Sequence, residues 1–125
     1  MDKEHLVLII EDDPDLSSML RMVVELIPGA RAEGIAAGEP LLPRLDRPPL
    51  PSLVILEPLI PEGEEFLHQV QARLDWKDVP LFLLTRDRRL ARGYQQDPQG
   101  AGGVFWTGEC SIDLLRELIE SRVRS

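Results

Sequence analysis

Cysteine occurs once in the 125 residues, as Cys110, so no disulfide can form within the chain. Histidine is nearly as scarce: His5 and His68 stand alone, without the spacing of a metal-ligand pair. No run approaches the ~18 apolar residues of a membrane-spanning helix. The amino terminus lacks the basic region, long apolar stretch and small-residue cleavage site of a secretory signal, so a cytoplasmic location is expected. Bases are outnumbered, 14 Lys and Arg against 22 Asp and Glu, for a net charge of −8. Phosphate backbones are held by clustered Lys and Arg, so neither nucleic acid nor membrane is an expected direct partner. With 43% hydrophobic and 29% charged residues, the composition is that of one globular domain over 1–125.

What is present is a repeated grammar. Leu53-Val54-Ile55-Leu56 is apolar throughout, then breaks into Glu57-Pro58-Leu59-Ile60-Pro61. So short an apolar run, ended by turn chemistry, reads as a strand buried on both faces. Leu6 to Ile10 runs into Glu11-Asp12-Asp13-Pro14 in the same way, and Val79 to Leu84 ends at Thr85. In an open parallel sheet, ligands gather at the carboxyl ends of the strands. Three buried strands therefore carry Glu11, Asp12, Glu57 and Thr85 to one edge.

Helical signals lie between the strands. Asp13 is a good N-cap with Pro14 at the first helical position, and Leu16, Met19, Leu20, Val23, Val24 and Ile27 recur at helical spacing until Pro28-Gly29. Ala30 to Ile35 reads as a weak edge strand. A short helix follows near Glu39 to Leu45, distorted by Pro43, and then a stiff linker, Arg47-Pro48-Pro49-Leu50-Pro51. The third strand spans Ser52 to Glu57. A helix over Glu62 to Leu74 places Phe66, Leu67, Val70 and Leu74 on its buried stripe, and Asp75-Trp76-Lys77-Asp78 forms the turn after it. The fourth strand covers Val79 to Leu84, a weak helix Arg88 to Gln96, and a last strand Val104 to Trp106. Ser111 caps a final helix to about Val123. Five strands alternating with five helices imply a parallel sheet covered on both faces.

Four stretches carry a resemblance to a known family: VLIIEDDPDL at 7–16, LVILEPLIP at 53–61, DVPLFLLT at 78–85 and GAGGVFWTG at 100–108. Over nearly its whole length the chain resembles the receiver domain of two-component response regulators. That resemblance implies a flavodoxin-like (βα)5 three-layer sandwich, with a five-stranded parallel sheet in order 2-1-3-4-5. It also implies a protein partner from a phosphorelay: a histidine kinase, an output domain or another regulator.

The family's chemistry uses two acids that hold Mg²⁺, an acceptor Asp, a Thr or Ser hydroxyl and a Lys. Carried over by position, the acid pair falls on Glu11 and Asp12 and the hydroxyl on Thr85, and all three match. The acceptor falls on Glu57 and the lysine on Thr107, and neither matches. The aromatic switch position is Val104, the small residue after the hydroxyl is Arg86, and the glycine before Phe66 is Glu65. The chain thus resembles a degenerate, or pseudo-, receiver.

Glu is one methylene longer than Asp, so its carboxylate reaches into the space meant for the phosphoryl group. In-line transfer depends on placement to about an ångström. Thr107 also supplies no fixed cation for the developing charge. Efficient phosphorylation is therefore not expected, although a receiver that tolerates Glu57 as acceptor stays open. Glu57 either mimics a phosphorylated Asp or is only a charged end to a strand.

Three converging carboxylates repel by about 4 kcal/mol per neighbouring pair at an effective dielectric near 20. Compensation must come from Mg²⁺ held by Glu11, Asp12 and Glu57 with a carbonyl near Leu59, from a raised pKa, or from a base. Arg86 either swings over the cluster in place of the absent lysine or points to solvent. No activated nucleophile, glycine-rich phosphate loop or histidine base lies near the acids, so the chain is not expected to be an enzyme.

Contact is then the remaining use. Ile112, Leu115, Ile119 and Val123 form one stripe of the last helix. Leu114 and Leu118 widen it beyond the arc a packed helix needs, so they either lie under a loop or mark a partner surface. Trp106 lies on the same side. By resemblance, the helix at Arg88–Gln96, the last strand and the last helix form a dimer and output face, to which Arg86, Arg88, Arg89 and Arg92 lend positive charge.

Overall fold

The computed structural model describes residues 4–35 and 38–123. Five strands, β1 (His5–Ile10), β2 (Ala30–Ile35), β3 (Leu53–Leu56), β4 (Leu81–Thr85) and β5 (Gly103–Trp106), form one parallel sheet in order β2-β1-β3-β4-β5. The register is continuous across the centre, with Ile10 beside Leu56 and Leu56 beside Leu83. This is the flavodoxin-like arrangement. The helices are α1 (Pro14–Glu25), α2 (Gly63–Ala72), α3 (Arg88–Gln96) and α4 (Ile112–Val123). No described helix is long and apolar enough to cross a membrane.

The central strands are apolar at 6–10, 53–56 and 81–84 because both faces are covered. On one face, Val7, Ile9, Leu53, Ile55, Phe82 and Leu84 meet α1 and α4 through Leu20, Val23, Val24, Leu115 and Ile119. On the other, Leu8, Ile10, Val54, Leu56 and Leu83 meet Phe66, Leu67 and Val70 of α2, with Tyr94 of α3 against the same cluster. Asp13 caps α1 as its chemistry requires, accepting from the N–H groups of Asp15 and Leu16 at 2.9 and 3.3 Å. Ser111 does the same for α4 through the N–H of Leu114.

Two expectations need correction. The fifth helix of the anticipated alternation is missing among the described residues. Between β2 and β3 the chain makes only a 3₁₀ turn, Leu42–Asp46, because Pro43 supplies no N–H and Pro48 stops any extension. Leu41 and Leu45 still fill the core from this turn. Arg44 is buried within it, at 2% exposure. Its guanidinium binds Glu33 of β2 at 2.9 Å and donates to the carbonyl oxygens of Arg47 and Pro49. Arg47 reaches the same Glu33 carboxylate at 2.9 Å. An ion pair thus fastens the turn to the edge strand where a helix would have used apolar surface.

The second correction concerns the end of α2. Leu74, expected on the buried stripe, is 80% exposed, while Trp76, expected in the turn, is 1% exposed. Arg73 leaves helical geometry (φ −94°, ψ 127°) to bind Asp46 at 2.7 Å and Asp75 at 3.1 Å. A 3₁₀ turn over Leu74–Trp76 then directs the indole inward. Its N–H donates to the Leu45 carbonyl at 3.1 Å, and its ring meets Phe66 edge-on at 6.1 Å.

Removing one member of a buried ion pair ordinarily leaves the other uncompensated, but Glu33 keeps Arg47 at 2.9 Å. Arg44→Ala is expected to cost about 2–3 kcal/mol, discounted because Glu33 retains some solvent contact. Urea unfolding of the two proteins measures the difference, and Leu74→Lys serves as a near-neutral control.

Candidate functional site: the acidic pocket

Ile10, Leu56 and Thr85 end adjacent parallel strands, so the residues leaving them emerge side by side. Glu11 and Glu57 are buried there, at 6% and 1% exposure, and Asp12 lies at the rim. Pro58 has no N–H, so the first amide ahead of Glu57 is that of Leu59, which donates to Glu57 Oε2 at 3.2 Å. Oε1 of the same carboxylate accepts from the backbone N–H of Arg86 at 3.0 Å. Both Glu57 oxygens are therefore held by main chain. Gly63, at the start of α2, packs closely against the main chain of the turn that follows β3. A Cβ there would come within 2.7 Å of the Pro58 carbonyl oxygen and 3.0 Å of that of Glu57.

The Arg86 guanidinium lies over the acids. Its Nη1 is 3.0 Å from Asp12 Oδ1, 3.4 Å from Glu11 Oε1 and 3.8 Å from Glu57 Oε1. Asp12 is the main reason the guanidinium holds its proton more tightly than usual. Glu11 also accepts from the Asp13 N–H at 3.2 Å. Burial, helped by the charges of Glu57 and Asp12, pushes the Glu11 carboxyl up to about 7, against the opposing pull of Asp13 N–H and Arg86.

Thr85 is fully buried at the end of β4, and its hydroxyl accepts from the N–H of Asp87 at 3.1 Å. Asp87 in turn caps α3 through the N–H of Leu90. Among the described residues no hydrogen bond joins the hydroxyl of Thr85, or that of Thr107, to Glu57. Thr107 instead opens a short 3₁₀ turn, Thr107–Glu109.

A hard divalent cation does not fit this arrangement. Among the described residues no group of three His, Cys, Asp or Glu is placed to hold a metal ion. Mg²⁺ needs oxygen ligands in near-octahedral array, whereas the Glu57 oxygens are turned to amides and a guanidinium nitrogen stands among the three carboxylates.

On the anticipated contact face, Arg89 is exposed beside a groove of about 530 Å³ between α2 and α3. Trp106 is half-buried: its indole N–H donates to the Arg86 carbonyl at 3.2 Å, and Arg88 lies 5.1 Å above its ring. Leu114 is 38% exposed, but Leu118 packs against the core, and Ile112, placed on the buried stripe from sequence, is 47% exposed. The helix's buried stripe is Leu115, Ile119 and Val123. The first turn of α4, residues 112–114, is exposed. Sequence reading missed the Leu59 and Arg86 amides, Gly63, and the Trp106–Arg86 bond. Only Pro58, by withholding its own N–H, hinted at the first.

No protein-family model matches the chain, and no curated protein sequence does. Solved structures do. A response regulator from Chloroflexus aurantiacus J-10-fl is 23% identical with a TM-score of 0.79, over 98% of this chain and all of that one (100%). The chemotaxis response regulator CheY4 of Vibrio cholerae is 19% identical at a TM-score of 0.77, over 96% of this chain and 99% of its own. The Mn²⁺-bound form of the response regulator Rcp1 is 17% identical at 0.70, over 94% and 90%. The chain has the fold of these domains.

Glu11 titrates near 7 in the folded chain and near 4.5 when unfolded, so between those values the folded state binds the extra proton. Stability then falls as pH rises from about 4.5 to about 7, and the full penalty stands above 7. Glu11→Gln keeps an oxygen for the Asp13 N–H and removes the charge. It is expected to stabilise the domain by roughly 2 kcal/mol at pH 8 and little at pH 4.5. Thermal melts across pH check both the size and the sign.

Proposed function

We propose that the chain is a receiver domain of the two-component type that signals by protein contact and does not take up a phosphoryl group efficiently. The observation that carries this reading is the Glu57 carboxylate, whose two oxygens accept from the Leu59 and Arg86 N–H groups. An acceptor must present a free oxygen in line with the phosphorus. Here the longer side chain has folded its oxygens onto the main chain. Thr107 in place of lysine supports the same conclusion, because transfer lacks the fixed cation that would stabilise developing charge.

The likeness of fold to response regulators supports a phosphorelay setting, with a histidine kinase, an output domain or another regulator as partner. A cytoplasmic, non-enzymatic role goes with that reading. The surface best suited to contact is the edge formed by α3, β5 and the first turn of α4. There Arg89, Trp106, Ile112 and Leu114 combine positive charge with exposed or half-exposed apolar surface, and a homodimer is one use of it.

Incubation with acetyl phosphate and Mg²⁺, followed by intact mass measurement, is expected to leave the chain unmodified. Glu57→Asp and Thr107→Lys restore the missing groups, and Arg86→Ala clears the guanidinium from the metal position; the triple variant is expected to gain a phosphorylated fraction. Stoichiometric acyl phosphate on Glu57 of the wild-type chain overturns the reading and favours a phosphorylatable receiver.

A further inference from the structure

We infer that Arg86 is the built-in counter-ion of the acidic pocket, and that its guanidinium keeps divalent cations out of a site the three carboxylates would otherwise form. The inference shares only the location of the pocket with the proposed function. Cation binding measured without a phosphodonor tests it separately from phosphoryl transfer to Glu57.

The geometry is specific. One nitrogen, Arg86 Nη1, lies within 3.8 Å of oxygens from Glu11, Asp12 and Glu57, which come from two different strand ends. A metal bridging the same oxygens would need that volume. It would also face a positive charge only ångströms away, since guanidinium does not lose its proton in proteins. Two acids of the pocket are almost fully buried, so the charge they meet is weakly screened. Other supports hold Arg86 near this position. Its N–H is bonded to Glu57, and its carbonyl accepts the indole N–H of Trp106. The side chain itself is 47% exposed, so it covers the pocket from outside, and shortening it need not disturb the core.

Arg86→Met keeps the aliphatic stem and removes the charge. Mn²⁺ is the probe, followed by electron paramagnetic resonance of the free ion and by broadening of the Asp13, Leu59 and residue-86 amide signals. The wild-type chain is expected to show no saturable Mn²⁺ binding at the pocket. Arg86→Met is expected to bind at least ~10-fold more tightly, because one neighbouring positive charge has been removed. Adding Glu57→Gln to the variant should abolish the gain. Saturable broadening of the Asp13 and Leu59 amides in the wild-type chain overturns the inference, and so does a folded Arg86→Met without a site. If Arg86→Met does not fold, Arg86→Lys decides. A shorter ammonium cannot span all three acids, so partial Mn²⁺ binding supports the inference and wild-type exclusion opposes it.

Discussion

The structure depends on bringing three carboxylates to one edge of a sheet whose central strands are apolar in their buried interiors. Two of the three are buried, where repulsion and desolvation act together. The chain offsets this in three ways. Main-chain N–H groups hold Glu57, one guanidinium reaches all three acids, and Glu11 binds its proton more readily than a free carboxyl. None of these alone is enough. The amides bear partial charges, the guanidinium carries one unit against as many as three, and the proton is only half bound near neutral pH. Together they make a polar cluster in which no described buried side-chain nitrogen or oxygen lacks a partner.

The same logic of replacement explains the other side of the sheet. Where the fold ordinarily places a helix between β2 and β3, the proline-rich segment permits only a 3₁₀ turn. The lost apolar cover is partly supplied by Leu41, Leu45 and Trp76. The turn is held to the edge strand by Arg44, which reaches β2 at Glu33 and the linker at Pro49. A buried ion pair is seldom worth more than good apolar packing, but breaking it is costly. The segment is fixed in place more than it is stabilised. Arg44 and Arg86 thus play parallel parts, each joining elements that ordinary packing would leave loosely connected.

The strands were the most legible feature of the sequence. β1 and β2 were legible to the residue, as was the helix α3, and the abrupt ends of the buried runs placed Glu11, Glu57 and Thr85 at strand ends. Periodicity failed at the end of α2, where Leu74 fits the helical stripe but Arg73, drawn to Asp46 27 positions away, ends the helix first. It failed again at Ile112, whose spacing suits the core but which stands in an exposed first turn of α4. Both misses have one cause: a one-dimensional pattern does not record where an element stops touching its neighbours. The backbone amides on Glu57 were illegible for a different reason, since every residue but proline carries one.

Arg86 also joins the pocket to Trp106. Its side chain belongs to the acids, its N–H to Glu57 and its carbonyl to the indole of Trp106. Trp106 sits opposite Thr85 in the β4–β5 register and lies under Arg88 of α3. A change in the acids that moved the Arg86 backbone would therefore alter the seat of Trp106 directly, without a chain of intervening contacts. Coupling of two sites requires an element with different contacts in two states, and residue 86 is the point through which both sets of contacts pass. Among the described residues, residue 86 thus bonds the pocket carboxylate through its N–H and the indole of Trp106 through its carbonyl.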